Sequence, residues 1–296
     1  MKTYLLKTLL LIFISSLYFQ LNAQSTYYKV DGIFIDSISN APVDFVDIGI
    51  IGKNVGSVSN EKGNFHLIIP NQNLGNFLSI SRIGYNSKNI LVGEVIKQTY
   101  IKIFLIPKIT EIQEIQINQK ALKSKTIGNI SKSKNIVFGL TSDTSNLGRE
   151  VGMVMHLPKN PVFIKSFNFH ISGNNTDSAK LRLNLYEFAN GEIGKNLLKE
   201  NIFFTITKKN SEDFNVDLSR YNIHAANDIL ISTENVAIYV SHGPDPNIKN
   251  DKYFYNKINI SGSILGPKSF YKQVSFGQWE KIPFKFSPGF WIEIMK

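Results

Sequence analysis

A serine three residues before a lysine is a spacing that can hold a nucleophile beside its general base. The sequence contains it three times, at Ser59 with Lys62, Ser131 with Lys134, and Ser269 with Lys272. Hydrolases that use this pair place it on a helix and carry companion motifs. None of the three contexts predicts a helix, and the companions are absent, as are a G-x-S-x-G elbow and an H-E-x-x-H motif. We therefore predict no catalytic residues and a protein that is not an enzyme.

Metal ligands are scattered along the chain. The five histidines are His66, His156, His170, His224 and His242. None is followed three residues later by a glutamate, as an H-x-x-E zinc motif requires. One loop gathers oxygen ligands that calcium accepts, at Asp245, Asn247, Asn250 and Asp251. The spacing is not that of an EF-hand, and the prolines at 244 and 246 also explain the loop as a turn. We predict no metal site and no cofactor, and calcium in this loop stays open.

Aromatic side chains are the sequence's best argument for a ligand, because their flat faces stack on sugar rings. The candidates for ligand binding are Tyr253, Tyr255, Trp279 and Trp291. Packing in a core or at its rim explains such residues equally well in a chain with 21 Phe and 12 Tyr. Both interpretations remain open from the sequence.

The first 23 residues predict a signal peptide for export. Lys2 and Lys7 precede an apolar run over residues 9–19, and Ala23 supplies a small residue suited to cleavage. The run is shorter than the roughly 20 apolar residues that span a bilayer. An uncleaved anchor is the alternative. No later stretch predicts a transmembrane helix, so none is expected after cleavage.

Composition favours an exported β protein. The chain has 296 residues, 43% of them hydrophobic, which is enough to bury a core. It has no cysteine, which excludes disulfides and thiolate metal sites. The net charge of +10 permits an anionic partner. Export argues against a nucleic acid partner. The densest group of lysines, near Lys120, is typical of a solvated linker.

Alternating apolar residues predict seven short strands in the first third of the chain, at 27–36, 45–50, 55–58, 64–69, 77–82, 88–92 and 100–105. Between the apolar runs at 46–50 and 65–69, residues 60–63 end in Gly63. Glycine accepts the positive φ that a tight reversal needs, so we predict a hairpin there. Seven strands in this length predict a Greek-key sandwich.

The same region resembles a known family. The residues that carry the likeness are Gly32, Asn-Ala-Pro-Val43, Gly56-Ser-Val-Ser-Asn-Glu-Lys-Gly-Asn-Phe65, Ile83-Gly-Tyr85 and the ending Ile109-Thr-Glu-Ile-Gln-Glu-Ile-Gln-Ile117. Together they resemble the carboxypeptidase-regulatory-like domain over about residues 27–117. The resemblance implies a transthyretin-like β-sandwich that is accessory to another function, and it brings no catalytic residues.

Such domains also stand at the N-terminus of TonB-dependent outer-membrane receptors, but this chain is too short for one. A 22-stranded barrel at roughly 10 residues a strand needs about 220 residues, more than follow Ile117. We assign residues 24–117 to the first sandwich. Residues 118–147, rich in Lys, Ser, Thr and Asn, are predicted to be a linker with at most a short strand at 135–140.

Residues 148–296 again alternate apolar and polar side chains. The alternating sets are Phe167, Phe169 and Ile171; Leu181, Leu183 and Leu185; Ile229 and Ile231; Ile238 and Val240; Phe284 and Phe286; and Phe290, Ile292 and Ile294. We predict a jelly-roll-like β-sandwich. A small outer-membrane barrel is the alternative, but charges such as Arg182 and Glu187 among the strands favour the sandwich.

These features predict an all-β, non-catalytic envelope protein that acts in binding, adhesion or scaffolding. It would be exported to the periplasm, the outer membrane or the cell surface of a Gram-negative bacterium, with an envelope protein or a glycan as partner. A carbohydrate-binding accessory protein of a glycan-uptake system is the alternative. A hydrolase with an unrecognised site is a further one.

Overall fold

The computed structural model describes residues 27–108, 123–140, 147–239 and 257–296. Over these residues the chain is nearly all β, which confirms the predicted fold class. Successive side chains of a strand point to opposite faces, and the burial patterns follow that rule: Phe65, Leu67 and Ile69 point inward from one strand. The strands form two sandwiches with separate hydrophobic cores.

The N-terminal sandwich comprises residues 27–108. Its strands are β1 (Tyr27–Asp36), β2 (Asp47–Gly49), β3 (Gly56–Val58), β4 (Asn64–Pro70), β5 (Phe77–Ser81), β6 (Lys88–Leu91) and β7 (Tyr100–Leu105). A 3-10 turn at Asn71–Asn73 and one α-helical turn, α1 (Val92–Val95), lie between strands. One sheet has the order β4-β1-β7 and the other β3-β2-β5-β6. All seven predicted strands are therefore present.

The turn at residues 60–63 forms as predicted, but the hairpin does not. Gly63 has φ +74°, and the Gly63 amide donates to the Asn60 carbonyl at 2.9 Å. The strands on either side, β3 and β4, belong to different sheets. The Phe34 amide donates to the Gly63 carbonyl at 3.0 Å, so the turn leads the chain across to β1. Alternation fixed which side chains are buried but not which strands pair.

The C-terminal sandwich comprises residues 123–140, 147–239 and 257–296. Its strands are β8 (Ser124–Gly128), β9 (Val137–Gly139), β10 (Glu150–His156), β11 (Val162–Asn174), β12 (Ser178–Ala189), β13 (Glu192–Asn196), β14 (Ile202–Thr207), β15 (Glu212–Asp217), β16 (His224–Ala225), β17 (Asp228–Tyr239), β18 (Ile258–Ser263), β19 (Ser269–Lys272), β20 (Glu280–Lys281), β21 (Ser287–Pro288) and β22 (Phe290–Met295).

These strands make two sheets. The first has the order β13-β12-β17-β10-β19-β20, with β14 also paired to β12. The second has the order β21-β18-β11-β22-β8, with β15 and β16 paired to β11 and β9 paired to β18. Apolar residues of both sheets, among them Phe167, Leu183 and Ile292, meet in one core. Two facing sheets agree with the predicted jelly-roll-like sandwich.

Two sequence predictions are wrong in this half. The predicted linker 118–147 is not a free tether where it is described, because β8 pairs with β22; the short strand predicted within it at 135–140 is present as β9, which pairs with β18. The alternation of Phe284 and Phe286 does not mark a strand. Pro283–Lys285 is a 3-10 turn, and Phe284 has φ +55° and is 80% exposed. The linker residues are held by pairing with strands more than 100 residues away. The proline at 283 interrupts the strand expected at Phe284 and Phe286.

Among the described residues no helix is long and apolar enough to cross a bilayer. Several predictions fall outside those residues and stay predictions. They are the signal peptide at 1–23, the family ending at 109–117, the loop around Asp245, and the aromatic candidates Tyr253 and Tyr255.

Candidate functional site

The two sandwiches meet on the outer face of the sheet that contains β12, β17 and β10. Phe45 and Val58 of the N-terminal sandwich pack in one apolar cluster with Val236 of β17 and, partly buried, Phe203. The rings of Phe45 and Phe203 lie 5.0 Å apart between centroids. At the edge of this contact the Lys180 ammonium pairs with Glu61 at 2.5 Å. The connection between the sandwiches is thus a packed interface.

Arg182 lies at the centre of this interface and is 3% exposed. Its guanidinium donates to both carboxylate oxygens of Asp47 at 2.6 Å and to the Phe45 carbonyl at 3.0 Å. It also donates to Glu234 Oε2 at 2.7 and 2.9 Å. A planar guanidinium can serve two carboxylates because its donors form a rigid fork. One side chain of β12 therefore joins β17 to the N-terminal sandwich.

A further buried carboxylate, Glu150 of β10, lies beside Arg182 and its partners Asp47 and Glu234. Glu150 is fully buried, and it accepts hydrogen bonds from Asn184 at 3.0 Å and from the Ser232 hydroxyl. The Lys272 ammonium of β19 pairs with Glu150 Oε2 at 2.7 Å, and the Tyr186 hydroxyl donates to the same oxygen at 3.3 Å. Buried charges are tolerated when paired and hydrogen-bonded, and this group meets that requirement.

The group contains three carboxylates, Asp47, Glu150 and Glu234, and two cations, Arg182 and Lys272. Burial raises the pKa of Asp47 to about 7, against the opposing effect of Arg182 and with a further rise from Glu234. Burial also favours the neutral form of Glu234, but Arg182 and Lys272 outweigh it and hold the pKa of Glu234 below its ordinary value. Asp47 therefore holds a proton more readily than Glu234 does, and a proton on Asp47 lowers the net negative charge of the group.

A cleft of about 340 Å³ opens beside these charges, at the junction of the sandwiches. Its lining combines aromatic, amide and charged side chains, including Tyr186, Trp279, Asn196, Asn201, Arg182 and Lys272. The rings of Tyr186 and Trp279 meet edge to face at 5.9 Å, and the Lys272 ammonium lies 4.9 Å from the Trp279 ring centroid. An aromatic wall beside polar groups is typical of small-ligand sites.

One acceptor in this lining has no partner. Asn201 donates through Nδ2 to the Ile83 carbonyl at 3.3 Å, whereas its Oδ1 is buried and unbonded among the described residues. A buried acceptor left unbonded costs free energy.

The structure separates the two described aromatic candidates. Trp279 lines the cleft. Trp291 lies on β22 in the other sheet, opposite Asn168 and Gly128, and does not line it. The sequence therefore identified one residue of the cleft.

Other chemistry-bearing residues have structural partners. In each Ser-x-x-Lys motif the serine hydroxyl bonds the backbone: Ser59 with Val46 and Val43, Ser131 with Gly262, and Ser269 with Pro267. His66, His156 and His170 each pair with one aspartate. No group of three possible metal ligands occurs within the described ranges.

Sequence reasoning missed Asp47, Glu150, Arg182 and Glu234. Charged residues between apolar ones on a strand ordinarily face solvent, and nothing in the sequence shows that a second sandwich covers this face. The available signal was the density of charge inside otherwise apolar strands, such as Arg182 between Leu181 and Leu183.

No family model matches the chain, and no curated protein matches it. Among solved structures it is similar to the cysteine protease and lectin-like domains of Cwp84, a surface layer associated protein of Clostridium difficile. That likeness covers 55% of this chain and 37% of Cwp84, at 11% identity and a TM-score of 0.32. A structure of infectious bursal disease virus, Gt strain, is similar over 91% of this chain and 59% of its own, at 8% identity and a TM-score of 0.27. The chain thus spans less than two thirds of either structure, and likeness at these TM-scores assigns no function.

Proposed function

We propose that this chain is a non-catalytic binding protein of the bacterial cell envelope and that the junction cleft binds a saccharide. The cleft's aromatic wall carries the proposal. Trp279 and Tyr186, packed edge to face, place apolar ring surface next to amides and charged groups. Sugar rings stack on aromatic faces through their C–H surface while their hydroxyls bond polar side chains. Asn196 and Lys272 in the lining are polar partners for such hydroxyls.

The buried carboxylates have a structural role and do not have the arrangement that a glycosidase needs. Glu234 is 2% exposed, and its two oxygens accept from Arg182, Asn184 and Ser275. A glycosidase needs a carboxylic acid that reaches the glycosidic oxygen and a second carboxylate at the opposite face of the sugar. Asp47 is held by Arg182 and by the Ser275 hydroxyl at 2.8 Å. These carboxylates are arranged to hold the sandwiches together.

Export and family membership are part of the same proposal. The seven strands of the N-terminal sandwich, in sheets of three and four, support the resemblance to the carboxypeptidase-regulatory-like domain. The apolar segment near residue 10 supports a signal peptide and hence export. An accessory domain joined to a saccharide-binding sandwich fits a glycan-uptake or adhesion role.

The test is a glycan array with the purified full chain, followed by titration calorimetry with the glycans that bind. Stacking on an aromatic side chain is worth about 1 kcal/mol or more, so Trp279→Ala should weaken binding by about fivefold or more. Trp291→Ala is the matched control, because it removes the same side chain from the other sheet and should leave binding unchanged. An array with no binding would contradict the saccharide site and favour a protein partner instead. Equal losses in both variants would contradict its location in this cleft.

A further inference from the structure

Two loops at one end of the C-terminal sandwich expose large apolar side chains. Leu265 and Phe284 are each 80% exposed, and Ile264 is 56% exposed. We call residues 263–268 and 281–287 together the apolar tip. Isolated exposed apolar residues are ordinary on protein surfaces, but a group of them marks an interaction site.

The loops of the apolar tip run side by side, so these side chains form one group. Ser263 pairs with Ser287 at the ends of β18 and β21. The Gly266 amide donates to the Lys285 carbonyl at 3.0 Å, and the Ile282 amide donates to the Ser269 carbonyl at 2.9 Å. Leu265 and Phe284 are therefore the chain neighbours of Gly266 and Lys285, which are hydrogen-bonded across the two loops.

The backbone holds these side chains outward at a cost. Leu265 has φ +63°, Phe284 φ +55° and Lys285 φ +53°. Residues with a Cβ atom rarely adopt this left-handed region, because Cβ approaches the carbonyl oxygen. Such conformations persist where the surrounding structure enforces them, and they concentrate at functional sites. The hydrogen bonds between the loops supply that enforcement.

The charges around the apolar residues are of one sign. The tip contains Lys268, Lys281 and Lys285 and no aspartate or glutamate. All three lysines are exposed. The adjoining Glu280 accepts a hydrogen bond from the Tyr271 hydroxyl at 2.6 Å. An anionic surface with an apolar layer beneath it complements this arrangement in both respects.

We propose that the apolar tip docks the protein onto an anionic phospholipid bilayer. Leu265, Phe284 and Ile264 enter the boundary between headgroups and acyl chains, and the lysines stay among the phosphates. Each lysine near an anionic leaflet strengthens binding about fivefold. The tip shares no residue with the junction cleft, so this proposal does not depend on saccharide binding.

Vesicle co-sedimentation with the full chain tests the docking. The probes are vesicles of phosphatidylcholine mixed with phosphatidylglycerol and vesicles of phosphatidylcholine alone. We expect binding to the anionic vesicles that weakens at high ionic strength, since salt screens exposed charges. The double variant Leu265→Ser with Phe284→Ser should weaken that binding at least about tenfold, because two large apolar side chains are lost from the boundary.

Two matched controls separate the tip from the general basicity of the chain. Ile38→Ser with Phe104→Ser removes exposed apolar side chains from the N-terminal sandwich and should change nothing. Replacing the three tip lysines by glutamine should cost far more than replacing the exposed Lys29, Lys88 and Lys102 of the N-terminal sandwich. All variants keep the same N-terminus, so its apolar segment contributes equally.

Several outcomes would overturn the proposal. They are equal binding to neutral and anionic vesicles, equal losses in the tip variants and their controls, and no vesicle binding at all. Loss of self-association in Leu265→Ser with Phe284→Ser, without vesicle binding, would assign the tip to a second copy of the chain instead.

Discussion

Removal of the Arg182 side chain should strongly destabilise the C-terminal sandwich. It is 3% exposed and forms ion pairs with both Glu234 and Asp47. Arg182→Met keeps most of the apolar length of the side chain but leaves two carboxylates without their cation. Breaking a buried ion pair from one side costs about 3–5 kcal/mol, because an uncompensated charge stays buried. We expect the free energy of unfolding of the C-terminal sandwich to fall by that amount.

Urea unfolding followed by tryptophan fluorescence measures this loss. Both tryptophans, Trp279 and Trp291, lie in the C-terminal sandwich, so the signal reports on that sandwich. With a denaturant slope of about 2 kcal/mol per molar urea, the midpoint should fall by about 1.5–2.5 M. Arg220→Met is the matched control, because Arg220 is exposed and its hydrogen bond and cation–π contact are both with the neighbouring Tyr221. That variant should leave the midpoint essentially unchanged, because surface substitutions away from buried features have little effect on stability.

A second substitution tests the physical reason. Adding Glu234→Gln to Arg182→Met removes one of the two uncompensated charges, so the double variant should be more stable than Arg182→Met alone. A loss below about 1 kcal/mol for Arg182→Met would refute the reasoning, because exposed pairs are worth only that much. A double variant less stable than the single one would show that packing, not charge, explains the loss.

Two further predictions concern the same interface. Because folding raises the pKa of Asp47 to about 7 from an ordinary 3.8, the contribution of Asp47 is fully present below pH 3.8 and is lost as pH rises through 7. Between pH 5 and pH 8 the free energy of unfolding of the parent should therefore fall by about 1–2 kcal/mol more than that of Asp47→Asn, a figure that allows for screening at a partly exposed carboxyl. Parallel pH profiles of the denaturant midpoints of the two proteins would contradict this. Gly56→Ala should cost about 1–3 kcal/mol in urea unfolding followed by circular dichroism, which reports on both sandwiches, because its Cβ would lie 2.1 Å from the Ser275 carbonyl oxygen. Gly75→Ala, whose Cβ would meet nothing within 4 Å, is its control, and equal stabilities would refute the close approach.

Side-chain alternation made the strands predictable, because a strand with one buried face must place apolar residues at every second position. All seven N-terminal strands and the inward faces of β11, β12, β17 and β22 follow from it. The turn at Gly63 was predictable because positive φ favours glycine. Alternation contains no information on which strand is the neighbour, which is why the hairpin at residues 60–63 and the linker at 118–147 were wrong.

The site was less predictable than the fold. Trp279 was identified as an aromatic that could stack on a ligand, and the cleft contains it. Arg182, Glu150 and Glu234 look like solvent-facing residues in sequence, since an outer strand face is normally wet. Arg182 is covered by the N-terminal sandwich, through its bonds to Phe45 and Asp47 more than 100 positions away, and Glu150 and Glu234 are enclosed by side chains from neighbouring strands and by Lys272.

The sequence alone determined that this chain is β, that its strands have apolar inner faces, and that certain turns need glycine. These properties are local, because they depend on the backbone conformation and on neighbours one or two residues away. The tertiary structure decided the strand partners, the packed junction, and the conversion of ordinary surface charges into a buried network beside a cleft. That conversion depends on desolvation, which exists only once distant parts of the chain have excluded the water between them.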